Sequence, residues 1–82
     1  MESELKTADI YLTAYLLSHN ISYKRIISEG CHRKKVVFIF PTTKPLTELA
    51  IKYRRKEAVV NVTDFMHGLE RARDVIFSTL RS

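Results

Sequence analysis

"KKVVFIF", residues 34–40, decides how the rest of this 82-residue chain is read. Two lysines give way to five β-branched or aromatic residues in a row, and Pro41 follows at once. Such side chains fit a pleated backbone, and proline, with no amide hydrogen to donate, ends the run. A strand without polar interruption normally has both faces covered. If Phe38 and Phe40 face a layer of helices, Val37 and Ile39 face the other way. A chain this short has few elements left to cover them. The expectation is an interface at Val37 and Ile39, filled by a homodimer mate or another protein partner. An unpaired strand edge offers a second route to the same association.

Reading outward from that strand, "ISYKRIIS" at 21–28 is a second strand whose alternation slips at Arg25–Ile27, a bulge or the strand's end. Between the two, "EGCHR" supplies the glycine that a hairpin connection wants. The economical pairing is antiparallel, joined across residues 29–34. Upstream, "TADIYLTAYLLSHN" reads as a largely buried helix, because its apolar residues cover more than half the circumference. Thr7 suits its N-cap, Asp9 its first turn, and Asn20 a left-handed C-terminal cap.

Downstream, Thr43 or Lys44 caps a second helix with Pro45 in its first turn. Leu46, Leu49, Ala50 and Tyr53 then make one inward stripe. "AVVNV" at 58–62 is either a third strand or an extended connector. Asn61 or Thr63 opens a last helix, and Asn61 with Asp64 resembles a capping box. Phe65, Leu69, Ala72, Ile76 and Leu80 form its expected inward stripe, with Gly68 permitting a close neighbour. Residues 1–6 read as a flexible N-terminus and 7–82 as a single α+β domain. The order is α-β-β-α-(β)-α, an antiparallel hairpin or small sheet packed with three helices.

Composition narrows the function classes. The chain is 45% hydrophobic with only two glycines and two prolines, which is the make-up of a folded domain. No apolar run reaches the ~18 residues of a membrane span. "MESELK" carries two glutamates where a signal peptide needs a basic and then an apolar segment. Cytoplasmic localisation is expected, and the single cysteine agrees with a reducing compartment.

The net charge of +5 is unevenly spread. Residues 23–35 hold Lys24, Arg25, Arg33, Lys34 and Lys35 against Glu29, and residues 52–56 hold Lys52, Arg54, Arg55 and Lys56. The rest of the chain is mildly acidic. On a two-stranded ribbon, Lys24, Arg25, Arg33, Lys34 and Lys35 can follow a phosphate backbone, and Tyr23 and His32 can stack on an unpaired base. Lys52, Arg55 and Lys56 would add to such a nucleic-acid surface if they lie on the same side. The plainer reading is that lysines blunt an exposed strand edge and that cations suit the last turn of a helix.

Catalytic and metal chemistry find little purchase. Metal ligation needs three or four converging ligands, and Cys31 and His32 are neighbours that a strand points in opposite directions. The remaining histidines, 19 and 67, are far away in sequence. No glycine-rich phosphate loop occurs, and the carboxylates sit where caps and i, i+3 pairs such as Glu70 with Arg73 explain them. No cofactor, metal or small-molecule substrate is expected, and the chain is read as non-enzymatic. Tyr11, Tyr15 and Tyr53 fall on stripes that a core would claim.

The runs "KTADIYLTAYLLSHN", "KKVVFIF" and "ELAIKYRRKEAVVNVTDFMHGLERARDVI" resemble a small uncharacterised domain family. Its pattern is a T-x-D opening helix, a basic hairpin ending V-x-F-x-F, an L-x-x-x-Y helix followed by V-N, and a C-terminal amphipathic helix. The likeness spans nearly the whole chain. It implies one fold unit of a kind found in microbes and their mobile elements, and it implies no site residues. Two functions are expected from all this: an interaction module that self-associates or binds a protein, or a nucleic-acid-binding accessory protein using the basic ribbon.

Overall fold

The computed structural model describes residues 3–30 and 35–81. Six elements follow one another: β1 (Glu4–Thr7), α1 (Ile10–Ser18), β2 (Arg25–Glu29), β3 (Lys35–Pro41), α2 (Lys44–Arg54) and α3 (Val62–Arg81). The strands make one antiparallel sheet in the order β1-β3-β2, so the apolar strand that opened the reading is its centre. The fold is α+β, as expected.

The first correction lies at the N-terminus. Residues 4–7, most of them assigned to a flexible tail, form an edge strand with Glu4 opposite Pro41, Leu5 opposite Phe40 and Thr7 opposite Phe38. One apolar residue in four carries no periodic signal. What makes a strand of it is the second edge of β3, whose backbone groups need partners. Another correction concerns β2. Arg25, where its alternation was taken to fail, is where the strand begins, in regular register from Arg25–Ile39 to Glu29–Lys35. Ile21 and Tyr23 precede it as half-buried cover, the Tyr23 ring meeting Phe38 edge-on at 5.4 Å. Residues 58–61 form no strand and serve as a connector. Gly30, at φ 103°, turns the chain after β2.

The helices start and stop where local chemistry dictates. Asp9, not Thr7, caps α1: its Oδ1 accepts from the Tyr11 amide at 2.9 Å, while Thr7 Oγ1 accepts from the Asp9 amide. Asn20 takes the left-handed conformation at φ 64°. Its amide bonds Leu17 O and the Ile21 amide bonds Leu16 O, which together close a Schellman motif. The end of α2 repeats the device with Lys56 at φ 60°. Thr43 caps α2 through the Leu46 amide, and Asn61 Oδ1 caps α3 through the Asp64 amide.

The sheet's inner face, Val36, Phe38 and Phe40, packs against Leu16 and Leu17 of α1, Leu46 of α2 and Ala72 of α3. Helix α1 is buried at five consecutive residues, Thr13 to Leu17, because the sheet and α3 take different sides of it. Gly68 makes the α1–α3 approach feasible: a Cβ there would stand 2.6 Å from the carbonyl oxygen of Ala14.

Candidate functional site

Two surfaces stand out, the first of which carries residues that the sequence singles out. The first is the outer face of the sheet. Val37 and Ile39 point away from the helices, as expected, yet they are only 6% and 1% exposed. The expectation that a partner must cover them is corrected by the strand register. Ile39 lies between Lys6 on β1 and Arg25 on β2, and Glu4 stands opposite Pro41 on the same face. Arg25 Nη2 reaches Glu4 Oε1 at 3.2 Å and Lys24 Nζ reaches Oε2 at 3.5 Å, so the ion pair from β1 to β2 spans the central strand. Flanked by these long side chains on both neighbouring strands, Ile39 is 1% exposed, as expected where charged residues lay their aliphatic stems over apolar neighbours.

The same geometry changes the basic ribbon. Lys24 and Arg25 share one carboxylate, and Lys35 stands opposite Glu29, so the described part of this face is mixed in charge. His32, Arg33 and Lys34 lie outside the described residues. At the end of α2, Lys52, Arg55 and Lys56 are exposed. Arg54 of the same segment lines a shallow hollow together with Glu4, Leu5, Leu46 and Ile51. Glu4 and Lys6 were missed because β1 was missed.

The second surface is the solvent side of α3. Val62, Met66, Phe77 and Leu80 are 76%, 52%, 60% and 41% exposed. Leu80 was expected to face inward and does not. The buried stripe of α3 runs through Gly68 and Ala72, flanked by half-buried Phe65, Leu69, Val75 and Ile76. A second apolar line, Val62, Met66, Leu69, Arg73, Ile76 and Leu80, follows alternating spacings of four and three. That signal was present in the sequence. It was merged with the inward stripe because Leu69 and Ile76 border both.

Beside these surfaces, Tyr53 of α2 donates its hydroxyl to Asp9 Oδ2 at 2.7 Å and stacks on Tyr15. Burial, and then the bond and charge of Asp9, push its pKa up to about 12. Tyr15 is buried and Tyr11 is exposed, so the three tyrosines do not share one environment. Among the described residues, no three His, Cys, Asp or Glu side chains gather where a metal ion could be held, and no helix is long and apolar enough to cross a membrane.

The family model described as a domain of unknown function, DUF5659, matches residues 2–78. The chain belongs to the DUF5659 family. The match takes in β1 and α3 up to residue 78, so the first surface and all of the second but Leu80 lie within the family's own unit. No curated protein and no solved structure is significantly similar to this DUF5659 domain.

Proposed function

We propose that this domain is a non-enzymatic interaction module and that its docking face is the solvent side of α3. One observation carries the reading: four large apolar side chains of a single helix, Val62, Met66, Phe77 and Leu80, stand exposed in a chain too small to leave such surface without cost. Large apolar side chains left exposed along one side of a helix, with half-buried Leu69 and Ile76 between them, mark an association site. Phe and Met are side-chain types enriched at such sites. The expected sheet interface at Val37 and Ile39 gives way to this one, since those residues are already covered.

The experiment is site-specific photocrosslinking in cells, with a benzophenone amino acid in place of Phe77 and a control in place of Glu48, which is exposed on α2. Discrete protein adducts at position 77 that are missing at position 48 are expected. No adduct at 77, or the same adducts at both positions, sinks the reading.

A second reading, contact with nucleic acid, is favoured by a different observation: Lys24 and Arg25 converge on the single carboxylate of Glu4. A phosphate would compete with Glu4 for the same cations.

A further inference from the structure

Resting on the reading of α3 as the docking face, the next inference names its occupant. We propose that a second copy of this chain fills it, with the two α3 helices packed antiparallel about a two-fold axis beside residues 71 and 72. Helix α3 has 20 residues, about 30 Å at 1.5 Å per residue, so its exposed line is long enough to act as a seam. A two-fold interface must be self-complementary: if residue i meets residue j, then j meets i. The exposed line meets that condition. Run antiparallel about an axis between residues 71 and 72, the helix sets Met66 level with Phe77 of the second copy, and Val62 level with Arg81, beside Leu80. Thioether against ring is a favourable pair.

The charges fit the same axis. Arg73 sits within the apolar line and Glu70 on its solvent border, both exposed. The two are one turn apart on their own helix, yet neither makes an ion pair with any described residue. In the antiparallel arrangement Glu70 comes level with Arg73 of the second copy, and the symmetry makes the pair twice. A parallel arrangement would set Arg73 against Arg73 and Glu70 against Glu70, which like-charge repulsion disfavours. Charge therefore favours the antiparallel direction, in which the pairing is self-complementary as a second copy requires.

The test uses two charge reversals, Glu70→Arg and Arg73→Glu, with mass measured by light scattering on a sizing column. The wild type is expected at twice the 9.6 kDa chain mass. Each single variant places like charges at both contacts and should weaken association by about tenfold or more. Mixed in equal amounts, the two variants offer only opposite charges to each other and should associate again. A wild type that stays monomeric across the concentration range overturns the inference, and so does a mixture that stays monomeric. If a single variant loses its helical circular dichroism, the double variant E70R/R73E replaces it. That chain restores both attractions and must be dimeric, and its running as a monomer also overturns the inference. A monomeric wild type with adducts to other proteins at position 77 removes the second copy and leaves the docking face. Absence of adducts removes both.

Discussion

Asp9 shows how one short side chain ties local structure to packing. One carboxylate oxygen caps α1 through the amides of Tyr11 and Leu12, and the other accepts the Tyr53 hydroxyl from α2. The sequence pointed to Asp9 as a favourable charge in the first turn, which is half of its role. The other half needed a residue 44 positions away, and no local pattern announces that. The bond has a pH signature. Tyrosine titrates at 10.0 when unperturbed, and Tyr53 in the folded chain at about 12. Between those values the unfolded chain has given up a proton that the folded chain keeps. Stability is therefore whole below pH 10 and falls as pH rises toward 12. Burial raises the Tyr15 pKa as well, so it acts in the same direction. Tyr53→Phe should cost about 1 kcal/mol at pH 7, the worth of one partly exposed hydrogen bond. It should also shrink the drop in urea midpoint between pH 8 and pH 11. An unchanged drop would mean that Tyr53 is not the group being titrated.

At the scale of elements, legibility followed the strength of periodic signals. Strand β3 and helix α1 were plain because their apolar content leaves no alternative, and the caps at Thr43, Asn61 and Asn20 follow from side-chain chemistry at helix ends. Strand β1 was not legible, since its reason for existing is the open edge of a partner 30 or more residues away. Its absence from the reading removed Glu4 and Lys6, and with them the cover of Ile39. That single omission turned a roofed strand into an apparent interface. Gly68 was read correctly as a place of close approach, and the contact of α1 with α3 allows a test in which two effects oppose each other. Gly68→Ala gains about 1 kcal/mol of helix propensity. The new methyl would sit 2.6 Å from the Ala14 carbonyl oxygen, a backbone atom held in a fully buried turn. Forcing the helices apart costs typically about 1–3 kcal/mol, so the clash should win. A net loss of up to about 2 kcal/mol is expected, which lowers the melting temperature of a domain this size by up to roughly 15 °C. A melting temperature that rises would show that the crossing has slack.

For the molecule as a whole, the question is what its net charge of +5 is for. Uniformly spread, it would be a solubility device. It is instead clustered, but the fold sets Glu4 between Lys24 and Arg25, and Glu29 opposite Lys35. A surface of mixed sign has a weak far field, and at 0.1 M salt the field of exposed charges decays within about 10 Å. The physical expectation is weak, salt-sensitive contact with duplex DNA or RNA, not tight binding. Glu4→Gln isolates the question, because it removes one carboxylate and leaves every cation in place. If the cations around Glu4 meet phosphate, the variant should bind labelled duplex several-fold more tightly at low salt. Its log affinity should also fall more steeply with log salt, by roughly the one or two further phosphates that the released cations neutralise. Fluorescence anisotropy at two salt concentrations reads both quantities. Equal affinity and equal slope in wild type and variant would leave Lys24 and Arg25 with the task that the fold already gives them, which is to close the sheet over Ile39. The outward business of the molecule would then fall to α3, where the exposed apolar line and the unpaired Glu70 and Arg73 lie together.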